Sequence, residues 1–308
     1  MTLTLLQLRV LFDAPLVALL AVLLVAVLAR RRPRIAVERP VRAWALAAGL
    51  FVVVSVVIER VSWLVEPELT LSSTARVVSF AVPLAAGLLA VAVLLLPRIQ
   101  RRVTGTADLS PRTLTSFVAR GWLIALLAVA ALVLTVTALA GRASIPDDQG
   151  RYRHYELELT TGFTAGTDIY GWYFSVPSIV LLVLLLLATF VAVRAVAKPP
   201  LDPDAAADAT VRRWRTRNVV AMSLGAVLVH LAAILSHLAG TAALSAGFTT
   251  DVGWVSARPP LVILETPLRT AATGAELVGW FLWFGVLLAA CRSTAPETAK
   301  QPWHSASR

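Results

Sequence analysis

The residues with the clearest chemical potential are two histidines inside an apolar run. Of the four histidines in the chain, His230 and His237 lie in a stretch apolar enough to cross a membrane. They are seven residues apart, and Ser223 lies seven before His230, so all three share one helix face with modest drift. Thr241 extends that face. Imidazole changes charge close to neutral pH, so such a face can relay protons or hold a ligand. An ionisable side chain at membrane depth is a functional-site hypothesis by default. The structural alternative is that neutral histidines hydrogen-bond to neighbouring helices and hold a bundle together. Glu276, about one turn inside the next apolar run, falls within reach of His237 if the two runs pack antiparallel.

Two acids outside the apolar runs form the second set. Gly162-Phe163-Thr164 leads through Thr167-Asp168-Ile169 to Gly171-Trp172, and Gly247-Phe248-Thr249 leads through Thr250-Asp251-Val252 to Gly253-Trp254. Asp168 and Asp251 take matching places in the two phrases. A duplicated hairpin, related by an axis along the membrane normal, would account for the echo. So would the plain preference of membrane boundaries for Gly, Thr, Asp and Trp. Each Asp is also suited to cap the helix beneath it.

Several chemistries are excluded or disfavoured. His230 and His237 stand ~10.5 Å apart along one helix, so they cannot bind one haem iron from opposite faces. A retinal Schiff base needs a lysine in the last helix, and the only lysines, Lys198 and Lys300, lie in polar segments. There is no Gly-rich phosphate loop with its Lys, no His-Glu-x-x-His and no Gly-x-Ser-x-Gly. Cys291 is the single cysteine, which rules out an intrachain disulfide and a cysteine metal cage. No catalytic set, metal or cofactor is therefore expected, and the chain does not read as an enzyme.

The elements that must position these residues follow from composition. Hydrophobic residues are 58% of 308 and charged residues 15%, against roughly 45–50% and about 25% in soluble chains. The apolar residues gather in runs near the ~20 residues that a helix needs to cross ~30 Å of hydrocarbon. Seven spans are expected: 14–29, 43–65, 77–96, 121–140, 173–193, 219–239 and 271–291. Asp13 reads as the cap of the first span, with Pro15 in its opening turn. The stretch 142–174 is the longest polar connector. Tyr152 to Leu159 alternates enough to suggest a short strand or lid, although a solvated connector is the expectation. Leu261 to Leu264 is a minor apolar run that could re-enter the membrane.

Charge sets the orientation. With the N-terminus outside, the inner segments hold 20 Lys/Arg and 6 Asp/Glu, and the outer ones 8 and 12. That is the positive-inside pattern. It also turns the net charge of +10 into a topology signal and argues against a nucleic-acid partner. The inner Arg-rich loops should attract anionic lipid. Residues 204–217, with Arg212, Arg213, Trp214, Arg215 and Arg217, read as a separate basic helix that could dock a cytoplasmic partner. Ala221 with Gly225, and Ala45 with Gly49, suit close helix contacts. Residues 292–308 read as a disordered tail.

The expected fold is thus all-α: one transmembrane domain of about seven helices in the plasma membrane, multi-pass, N-terminus outside and C-terminus inside. Two functional classes fit. One is a permease-like or accessory membrane component with a small polar site on span 6 and the outer loops. The other is a sensor or scaffold that meets an outer ligand, lipid or protein through the 142–174 loop.

Overall fold

The computed structural model describes residues 5–31, 35–65, 72–96, 117–160, 163–197, 205–250, 253–257 and 260–294. They form seven helices: α1 (Leu5–Leu28), α2 (Arg39–Val65), α3 (Ser73–Leu95), α4 (Arg120–Ala143), α5 (Trp172–Val196), α6 (Ala205–Ala242) and α7 (Glu265–Arg292). Six of them, α2 to α7, are long and apolar enough to cross a membrane. The apolar part of α1, Asp13–Leu28, is shorter. Its helix starts at Leu5, so Asp13 and Pro15 lie inside it and Asp13 does not cap it.

The structure is mainly helical, in keeping with the all-α expectation, but its connections also carry strands. Among the described residues, five strands lie in the connections: β1 (Ile145–Pro146), β2 (Tyr152–Thr160), β3 (Phe163–Asp168), β4 (Ala246–Thr250) and β5 (Gly253–Ala257). The first three form an antiparallel sheet and the last two a hairpin. Connections that leave the hydrocarbon must satisfy their backbone groups, and pairing with each other is a compact way to do so.

Helix α6 is the axis of the bundle. Of its apolar window 83% is buried inside the protein, against at most 44% in any other span. It packs on α3, α4, α5 and α7. The reason lies in its side chains. Asn218, Ser223 and His230 are almost fully buried, and a helix that carries such groups is excluded from the lipid face. Its closest approach is to α7. A Cβ on Gly279 would lie 3.0 Å from the Gly225 carbonyl oxygen, so both positions need glycine for the backbones to meet. Trp283 Nε1 closes that contact by donating to Met222 O at 3.2 Å. Gly49 makes room for the Leu287 side chain of α7, and Ala45 is fully buried.

The basic segment before span 6 is not a separate helix. It continues α6, whose 38 residues reach ~57 Å at ~1.5 Å per residue, almost twice the hydrocarbon thickness. Arg212 is 1% exposed. It donates to Asp208 Oδ2 at 2.6 Å and to Val196 O, and lies over the Phe117 ring at 5.5 Å. Trp214 is buried as well, which leaves Arg213 and Arg217 exposed. This end of α6 is therefore built into the protein.

Two smaller findings concern the end of the chain. Residues 260–264 form a 3-10 turn that leads directly into α7. The stretch after α7 is ordered as far as Thr294. Val37 N donates to Thr294 O at 2.8 Å, and Thr294 N to Ile35 O at 3.1 Å. The rest of the expected tail lies outside the described residues.

Candidate functional site

The connector between α4 and α5 folds because of a turn and a ring of charges. Asp147 opens the turn into β2: its Oδ1 accepts from Gln149 N and Arg151 N, both at 2.9 Å. Gly150 supplies the positive φ of 74° that a side chain would resist. Asp147 Oδ2 then takes Arg151 Nη2 at 2.8 Å and Arg153 Nε at 2.6 Å. Arg153 Nη1 reaches Asp168 Oδ2 at 3.4 Å, and Asp168 also pairs with Arg76 of α3. Arg151 Nη1 donates to Ser73 Oγ at 2.9 Å. The path runs from α3 through β3, β2 and the turn and returns to α3. The solvated connector is in fact a sheet bolted to the end of α3.

Arg151 first, then Arg153 and the turn amides, hold the Asp147 carboxyl well below the usual carboxylate range. In return Asp147 raises the Arg151 guanidinium. Between β3 and α5, burial pushes the Tyr170 phenol up to about 12 against the opposing hydroxyls of Ser178 and Thr137. It stays neutral at any physiological pH.

Beneath this sheet lies a polar cavity of about 620 Å³ between α3, β3 and α6. Arg76, Ser79 and Phe80 line it from α3, Thr167 and Asp168 from β3, and Ser236, His237 and Thr241 from α6. The Thr241 hydroxyl is shared between Asp168 O at 3.0 Å and His237 O at 3.2 Å, which ties the strand to the helix. His237 is half-buried, with its ring edge-on to Phe80 at 5.5 Å and to Phe174 at 6.2 Å. Its Nε2 has no hydrogen-bond partner among the described residues. The wall thus combines a cation, an anion, hydroxyls and an imidazole ring whose Nε2 is itself buried.

The structure brings only some of the sequence candidates together. His237, Asp168 and Thr241 share the cavity. His230 lies deeper on the same helix face and is fully buried. Its Nδ1 donates to Phe80 O at 2.8 Å, and its Nε2 is unpartnered among the described residues. Ser223 lies deeper again, its hydroxyl 2.6 Å from that of Thr189 on α5. Glu276 does not reach His237. It pairs with Arg60 of α2, and Trp280 Nε1 lies 3.4 Å from the same oxygen. Helix α2 packs against α7, and a guanidinium is a stronger partner for a half-buried carboxylate than a neutral imidazole.

Asp251 lies outside the described residues. Its flanks nevertheless separate the two phrases. In the first, Phe163 to Asp168 is one strand that runs on into α5. In the second, Gly247-Phe248-Thr249-Thr250 is on β4 and Gly253-Trp254 on β5, with Thr250 paired to Gly253 across the turn. The same words sit on different parts of two hairpins, so a duplicated unit is not supported.

Arg76, Ser79, Phe80 and Ser236 were missed in the sequence. Arg76 offered one signal: it is the sole base between Arg60 and Arg98, at the mouth of a span. Phe80 offered none, since an aromatic in an apolar run reads as core. The chain matches no protein-family model, no curated protein and no solved structure.

Proposed function

We propose that this protein is a non-enzymatic membrane component, permease-like or accessory, that binds a small polar solute in the cavity beneath its three-stranded sheet. The observation that carries the reading is the polar cavity itself, where the Arg76–Asp168 pair lies beside the half-buried His237 ring and the Ser79, Ser236 and Thr241 side chains. A cavity of this size suits a small molecule, and its charged and hydroxyl groups give directional hydrogen bonding. His230 and Ser223, in the packed interior below, position α6 against α3 and α5. On this reading α1 completes seven spans, and the charge bias places the sheet on the outer face of a plasma membrane. Arg213 and Arg217, exposed at the far end of α6, meet anionic headgroups or a cytoplasmic partner there.

The sensor or scaffold reading keeps one observation in its favour. The sheet is fixed to α3 by the Arg76–Asp168 ion pair and the Arg151–Ser73 hydrogen bond, and a rigid outer cap is a surface that a partner could read.

Binding decides. The purified full chain is heated in detergent with a panel of small carboxylates, phosphate and amino acids. A ligand present at about 100 times its Kd stabilises by roughly 2.7 kcal/mol, which is readily seen as a higher Tm. The expected result is a shift from one chemical class that disappears in His237→Leu and Asp168→Asn while both variants stay folded. A panel without any shift, or a shift that both variants retain, contradicts the proposal.

A further inference from the structure

A second cavity, of about 300 Å³, lies on the other side of α6. It is roofed by Tyr155 and Ile169 of the sheet segment and walled by α4, α6 and the turn into α7. Its lining is almost wholly aliphatic, with Leu139, Leu235, Leu238, Leu264 and Leu268 prominent. We infer that this cavity holds one hydrocarbon chain of a bilayer lipid, drawn from the leaflet on the sheet-bearing side of the membrane.

Three observations select that occupant. The first is dryness. A buried water needs two to four polar partners, and an apolar cavity of ~150 Å³ already stays dry and takes benzene. Here the volume is twice that, and the Thr241 hydroxyl is already spent on Asp168 O and His237 O. The second is continuity with lipid. Ile124 and Leu132 of α4 are 65% and 48% exposed on a membrane span, and Leu139, at 66%, continues their stripe to the rim of the cavity. Leu264 at the opposite rim is 44% exposed. The cavity therefore borders hydrocarbon. The third is size. One turn of helix ~10 Å wide and ~5.4 Å long fills about 400 Å³, so a partner helix does not fit where an alkyl chain does. This site is independent of the polar one, although Ile169 and Thr241 join its wall to Asp168.

The test uses the full chain in phosphatidylcholine nanodiscs doped with phosphatidylcholine that carries a diazirine near one acyl terminus. After photolysis, peptide mass spectrometry maps the adducts. The expected result is adducts on Leu235, which is 8% exposed and lines the cavity, and on Leu268. In Ala143→Phe, which narrows the cavity from an exposed wall position, that yield falls about tenfold. Adducts confined to outward residues such as Leu127 and Leu187 overturn the inference. So does an unchanged yield on Leu235 in Ala143→Phe. A third arm adds excess unlabelled free fatty acid: the adducts should persist, and their displacement would assign the site to a soluble fatty acid instead of a bilayer lipid.

Discussion

His230 and His237 are the same residue type on the same face of one helix, yet they occupy different worlds. His230 is fully enclosed, and its Nδ1 is committed to the Phe80 carbonyl. His237 is half-buried in a cavity wall, and although Nε2 is unpartnered in both rings among the described residues, only His230 makes a ring hydrogen bond. Phe80 divides them. Its backbone accepts from the lower histidine, and its ring leans on the upper one and on Tyr170 at 4.7 Å. Depth in the membrane made His230 the more suggestive residue in the sequence. The structure places the shallower one in a cavity wall, and on the proposed reading it is this histidine that a solute meets.

The comparison can be broken most forcefully at the divider. Phe80→Ala removes a ring packed against Tyr170, Phe174 and His237, and should cost about 3–5 kcal/mol, as Phe→Ala core deletions do. Equilibrium unfolding in mild detergent measures it. Next comes His230→Leu, which leaves the Phe80 carbonyl without its side-chain donor and should cost about 1–3 kcal/mol. His237→Leu, which removes no hydrogen bond made by its ring, should leave stability nearly unchanged and abolish solute binding. If the two leucine variants lose stability equally, the contrast drawn here is wrong.

A smaller effect is expected at the sheet. Asp168→Asn removes the charge that Arg76 and Arg153 share. These side chains are about a fifth exposed, so water screens part of the loss and the expected cost is about 1 kcal/mol. Hydrogen exchange should rise in β2 and β3 and stay unchanged in α6. The smallest effect is in pH. Because Asp147 is held below its ordinary range in the folded chain, its contribution is fully present above the unfolded carboxylate value of ~3.9. It is lost only as pH falls through the lower folded value. Exchange protection in β2 should therefore be flat from pH 5 to 8, on the order of the stable range that such linkage predicts, and weaken only in stronger acid. Loss of protection between pH 5 and 7 would mean that a histidine, and not Asp147, governs the cap.

Much of this was legible in the chain. Spans 43–65 to 271–291 each fall inside one of α2 to α7 or within a residue of its end, because twenty apolar residues in lipid have little choice but a helix. The small residues Gly225 and Gly49 mark real helix contacts. The polar face of Ser223, His230 and His237 does point inward, and Asp168 does lie by the cavity. What stayed hidden was long-range partner choice. Nothing local says that Glu276 takes Arg60 from α2, or that Arg76 meets Asp168 across 92 positions. The sheets were obscured for a different reason. Polar connectors carry little hydrophobic alternation, and the Gly-Phe-Thr phrase drew attention as a repeat when its content was turn and strand.

One measurement tests the central claim most directly. Cys291 is replaced by Ser, and a single cysteine is placed at 237 or at 230 in otherwise unchanged chains. Each is reconstituted in liposomes and exposed to a membrane-impermeant maleimide. Cysteine at 237 should label readily, and faster than cysteine at 230 by about a hundredfold or more, the ratio that ~2.7 kcal/mol of local opening imposes. Equal rates at the two positions, or protection of 237 with labelling of 230, would contradict the account.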